Sequence, residues 1–106
     1  MSMERRAHPR YPVSIGVSCA TSYRTIEATS KDISRGGIFL HTRTPEPIET
    51  RVYLEIRVPT GKLIGVDAQV VHHLQGIGMG LQFLSFEEDG LEVLTQLLDE
   101  LKDPPE

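Results

Sequence analysis

Two short stretches carry residue types that could recognise a ligand. Residues 32–37 read DISRGG and residues 5–10 read RRAHPR. In an extended segment Asp32 and Ser34 are two residues apart and share a face, while Ile33 points the other way. Gly36 and Gly37 permit positive φ and a close approach of backbone to a guest. Asp and Ser also commonly cap their own turns, so this stretch is equally a turn signal. In the other stretch, Pro9 argues against a helix, and in an extended arm Arg6 and Arg10 stand about 13 Å apart. Such arginines reach two separated points of one ligand. A guanidinium fork suits phosphate oxygens or the O6/N7 edge of guanine. A carboxylate suits guanine's N1–H and N2–H₂ donors. A guest with guanines and phosphates satisfies both stretches, whereas a plain basic tail and a plain turn need no guest at all.

The elements that must position these residues follow from periodicity. Of the chain's 106 residues, 39% are hydrophobic and 25% charged, the profile of one ordinary globular domain. Residues 1–12, with Pro9 and Pro12, read as an irregular, flexible arm. Val13, Ile15, Val17 and Cys19 alternate with small or polar residues, the signature of a half-buried strand. Strands are also expected over 24–33, 37–42, 51–58, 63–74 and 77–84, with a bend at Gly65. Residues 42–50 and 59–61 read as a loop and a turn. The period then changes. Ser85 and Glu88 fit a capping box, and Leu91, Leu94, Leu98 and Leu101 form a stripe, which predicts a helix over 86–102. The Pro104–Pro105 pair ends it, leaving 103–106 as a tail. The expected architecture is all-β with one terminal helix: a small six-stranded antiparallel barrel over 13–102, closed so as to remove sheet edges.

Charge is uneven. Residues 1–12 hold Arg5, Arg6 and Arg10 against Glu4, whereas residues 87–106 hold eight acids and only Lys102. No broad basic field exists to neutralise many phosphates, so general nucleic-acid binding is not expected. The N-terminus has no apolar h-region and no apolar run reaches the roughly 20 residues of a membrane span, so a cytoplasmic protein without membrane insertion is expected. Cys19 is single, which excludes an internal disulfide and fits a small buried hydrophobe. His72 and His73, adjacent on a strand, face opposite sides and suit no joint metal site. The glycines of GIGMG open no helix and are no Rossmann fingerprint. No nucleophile–base pair is visible, and neither an enzyme nor a cofactor is expected.

RxxxR near the start, DxSxxG after the first strands, and the flanking ERRAHPRYPV, GIFLHT and GMGLQF together resemble the PilZ domain family over nearly the whole chain. The resemblance implies a six-stranded barrel with a helix at one end that binds the bacterial second messenger cyclic di-GMP. It implies that the arm wraps over the dinucleotide, with Arg6 and Arg10 contacting phosphates and guanine edges and Asp32 and Ser34 contacting guanine. Gly37 is then the motif glycine, needed for close approach. Arg5 precedes the first motif arginine, as in members that take up two stacked ligands. Arg35 and Gly36 are secondary candidates. The expected role is a sensor that orders its arm on the ligand and signals to an effector protein. The alternative is a ligand-independent adaptor acting through its acidic helix. A homodimer is left open.

Overall fold

The computed structural model describes residues 8–102. Seven strands and one helix follow in chain order: β1 (Tyr11–Pro12), β2 (Gly16–Ala20), β3 (Thr25–Ile33), β4 (Gly37–His41), β5 (Arg51–Arg57), β6 (Leu63–Leu74), β7 (Gly78–Phe86) and α1 (Gly90–Lys102). All pairings are antiparallel. The sheet runs β3-β2-β5-β6-β7-β4, and β4 pairs back onto β3. The result is the expected six-stranded closed barrel. Alternation drives it. Val52, Leu54 and Ile56 on β5 and Ile64, Val66, Ala68 and Val70 on β6 point inward, at 5% exposure or less. They meet Val17, Ile33, Ile38, Leu40 and Met79 from the other strands. Closure leaves no long unpaired edge, the usual hazard of so small a sheet.

The arm is more ordered at its inner end than expected. Tyr11 and Pro12 pair with Ile33 and Asp32, so β1 continues the line of β2 along the same edge of β3. Between them the chain makes a crook that Ser30 fills. Ser30 Oγ accepts from the Ile15 amide at 3.0 Å and donates to the Val13 carbonyl. A hydroxyl that is 2% exposed is thereby satisfied at both ends. The same contacts fix where the arm leaves the barrel.

The helix begins at Gly90, four residues later than the Ser85–Glu88 pattern predicts. Alternation wins over the cap: β7 stays paired with β6 as far as Phe86↔Val66. The chain then turns sharply, with the Glu87 amide bonded to the Gly65 carbonyl at 2.9 Å and Glu88 at φ 48°. The leucine stripe is rotated accordingly. Val93, Leu94 and Leu97 are the buried residues, Leu98 and Leu101 are half-buried, and Leu91 is 38% exposed. Gly65 shows no break in β6, since it pairs with Glu55. A Cβ there would meet Tyr53 Oη and Glu87 Oε1, which are bonded to each other at 2.9 Å. No helix of the described residues is long and apolar enough to cross a membrane.

Candidate functional site: a cleft on the outer wall

The turn at 34–37 is held by its own serine. Ser34 Oγ accepts from the amides of Gly36 and Gly37, both at 3.1 Å, and the Ser34 amide donates to the Gly37 carbonyl at 2.8 Å. Ser34 is 3% exposed. Its hydroxyl therefore organises the turn. Neither Gly36 nor Gly37 has positive φ. Their value is space. A Cβ on Gly37 would run into the Leu81 carbonyl of β7, and one on Gly36 would press on the His8 ring at 3.1 Å. The Gly36 carbonyl accepts from the Phe83 amide at 2.8 Å and ties the turn to β7.

Asp32 sits at the end of β3, past an irregularity between Ser30 and Asp32 in the pairing with β4. Arg10 meets it: Nε and Nη2 each lie 3.0 Å from Oδ1, and the two side chains are 26% and 20% exposed. The two stretches singled out in the sequence thus touch directly. Arg5 and Arg6 lie outside the described residues.

Beside this pair a cleft of about 280 Å³ opens on the outer wall of the barrel. The arm contributes His8 and Arg10, and the turn contributes Ser34, Gly36 and Gly37. Gly80, Leu81 and Gln82 of β7 and Val71 and His72 of β6 complete it. The last two arrive through a bulge. Pairing shifts between Val70 and His72, leaving Val71 and His72 both exposed. His73, half-buried, bonds the Glu46 carbonyl through Nδ1 at 2.8 Å. Sequence periodicity alone does not find His72, Val71 or Gln82, because a bulge re-aims the first two and strand pairing brings in the third. His8 lies within RRAHPR, and its place in the motif was the one signal available.

The lining carries one arginine and two histidines and no carboxylate, and Arg10 offsets the neighbouring Asp32. Arg35 is elsewhere: it lines a second cleft, with Leu91, Glu92, Thr95 and Gln96 of α1. No group of three metal-ligating side chains occurs among the described residues. Cys19 is buried inside the barrel, where desolvation and then Glu46 push its thiol up to about 11, far from a reactive thiolate.

The PilZ domain profile matches residues 4–100. No curated protein matches the chain. Among solved structures, the Bacillus subtilis inhibitor of motility MotI/DgrA is 20% identical at a TM-score of 0.80, over 97% of this chain and 55% of that one. The PilZ domain of YcgR from Escherichia coli, solved with c-di-GMP, is 16% identical at 0.76, over 93% of this chain and 92% of that one. The K. pneumonia MrkH–c-di-GMP complex is 20% identical at 0.73, over 97% and 56%. The chain therefore spans little more than half the length of MotI and MrkH. With the profile match over residues 4–100 and the closed barrel with its terminal helix, the chain belongs to the PilZ domain family.

Proposed function

We propose that this protein binds cyclic di-GMP in the cleft beside Arg10 and Asp32 and passes the signal to a partner protein. The observation that carries this reading is the Arg10–Asp32 pair, which joins the two recognition stretches at the cleft margin. The c-di-GMP complexes of YcgR and MrkH, similar in fold, support the choice of ligand.

The chemistry is an exchange of partners. On binding, Arg10 leaves Asp32 and forks onto a phosphate or a guanine O6/N7 edge. Asp32, released, accepts from guanine N1–H and N2–H₂. One internal ion pair is replaced by two charge-assisted contacts with the ligand. Arg6 and Arg5 add charge from the arm, and Ser34 and Gly37 keep the turn backbone low enough for the base to approach. Ordering an arm residue costs about 1–2 kcal/mol, so several such contacts are needed to offset closure. The arm over the ligand is then a new surface for an effector in the cytoplasm. The reading is one of binding without catalysis or cofactor.

Isothermal titration calorimetry with cyclic di-GMP tests it, with cyclic di-AMP and GTP as controls. Selective binding of cyclic di-GMP is expected. Two ligands per chain would support a role for Arg5 in a stacked pair, and one would argue against it. A folded protein giving no heat, and no binding by a second method, rejects the reading.

A further inference from the structure

The end of the barrel opposite α1 takes no part in the cleft. It is built from the turn between β2 and β3, the long loop between β4 and β5, and the turn between β6 and β7. Glu46 locks the three together. It is 1% exposed. Arg24 of the first turn reaches Glu46 Oε2 through Nε at 2.6 Å and the Thr44 carbonyl through Nη2 at 2.7 Å. The Tyr23 hydroxyl donates to Glu46 Oε1 at 2.6 Å, and His73 beside the third turn bonds the Glu46 carbonyl. A buried carboxylate is costly unless it is paired and hydrogen-bonded. Here both partners of the carboxylate come from the turn between β2 and β3, and His73 at the end of β6 holds the backbone carbonyl of the same residue, so the three segments are tied at one point.

What the locked loops present is apolar. Tyr23 is 71% exposed, Ile48 56%, Leu74 48% and Ile77 58%, four of the eight exposed large apolar side chains among the described residues. The loops that carry them are stitched together: the Thr42 amide donates to the Ile77 carbonyl, and the Ile77 amide to the Leu74 carbonyl, both at 3.0 Å. Tyr23 is anchored by its hydroxyl while its ring faces solvent. An aromatic ring held by its hydroxyl and aliphatic side chains exposed on bonded loops are the residue types that binding hot spots use. The surrounding charge is basic. Arg43, Arg51 and His41 are exposed, Glu49 is the exposed acid of this loop, and Arg24 offsets Glu46. The acids Glu87, Glu88, Asp89, Glu92, Asp99 and Glu100 are all on the helix side.

We propose that this end is a docking surface for an acidic protein segment carrying large apolar anchor residues. Charge complementarity selects the occupant. Two exposed arginines are too few for the polybasic cluster that holds a protein on an anionic membrane. A second copy would have to bring its acidic helix to this end, a head-to-tail contact that closes no simple dimer. Tyr23, Ile48 and Ile77 do not line the cleft, although Leu74 stands two residues along β6 from His72 of its wall, and the proposal does not rest on what the cleft binds.

A randomised peptide library selected on the full chain tests it. Enriched peptides should combine Asp or Glu with Phe, Trp, Leu or Ile. A selected peptide should lose at least tenfold in affinity against Ile77→Asp and against Arg43→Glu, while Arg10→Ala leaves it unchanged. Both substituted side chains are exposed, so the fold should tolerate them, and thermal melts check this. No acidic–apolar enrichment, or binding indifferent to both variants, overturns the proposal. So does concentration-dependent self-association abolished by Ile77→Asp, or binding to phosphatidylglycerol vesicles that the variants abolish in place of peptide binding.

Discussion

Arg10 approaches Asp32 through two nitrogens, Nε and Nη2, each 3.0 Å from the same oxygen, Oδ1. Both nitrogens of the fork converge on a single acceptor atom. This is not the parallel two-oxygen arrangement that makes arginine–carboxylate pairs strongest. Both side chains also keep some contact with solvent. Such a pair holds the arm near the cleft, and it is the pair that the proposed exchange with the ligand would break.

Arg10→Ala and Asp32→Ala should each weaken cyclic di-GMP binding by at least tenfold with the barrel intact. Removing one charge from a desolvated, hydrogen-bonded contact costs roughly 2–5 kcal/mol. Calorimetry with circular dichroism checks this, and wild-type affinity in either variant removes that residue from the site.

Reversing the pair separates the latch from the ligand contact. Arg10→Asp combined with Asp32→Arg keeps an ion pair between the arm and β3. The double variant should melt close to wild type yet fail to bind, because the carboxylate then faces phosphate. Recovery of binding would mean that the pair acts only by holding the arm.

Ser34 and Gly37 should behave as structural positions first. Ser34→Ala strands the buried Gly37 amide and the half-buried Gly36 amide and should destabilise by about 1–3 kcal/mol in urea titrations. Gly37→Ala forces β4 from the Leu81 carbonyl and should cost about 2–4 kcal/mol. Gly80→Ala meets the His72 ring at 3.1 Å and the His72 Cβ at 3.2 Å, tight contacts with a side chain and none with backbone, and should cost less, about 1 kcal/mol. Equal losses for the two glycine variants would contradict this account of the wall.

His73 makes the far end respond to pH. Its pKa is raised, first by the bond to the Glu46 carbonyl and then by Gln75, since the imidazolium can donate from both nitrogens. A raised folded-state value stabilises the fold fully below the unfolded value, near pH 6.5. That contribution fades as the pH rises through the folded value. The melting-temperature gap between wild type and His73→Ala should therefore be largest below about pH 6 and narrow toward pH 8. A gap that stays constant across this range would refute the assignment.

Much of this was legible from residue order where one rule acted alone. On β5 the alternation of Val52, Leu54 and Ile56 has no competitor, and the strand lies within its expected span. β6 matches its expected bounds, Leu63 to Leu74. At Ser85–Glu88 two rules compete, and cross-strand pairing with Val66 and Asp67 outlasts the local cap. Ser34 is the instructive case within the motif. Its spacing from Asp32 places both toward one side, but only the fold reveals that the hydroxyl is already occupied by two amides. Strict alternation sets His72 opposite His73, against a joint metal site, but says nothing of a bulge that turns Val71 and His72 outward together into the cleft wall.

The closed barrel also dictates how the domain can be joined to others. β1 enters beside the 34–37 turn and touches α1, which itself packs against the β5–β6 turn through Val93 and Leu97. Incoming and outgoing chain therefore meet the barrel at one pole. The Tyr23–Ile77 pole is the one farther from both ends of the described residues, 8 and 102. The described chain thus enters and leaves at one end of a body whose Cα radius of gyration is only 13.3 Å, and the proposed docking surface is at the other.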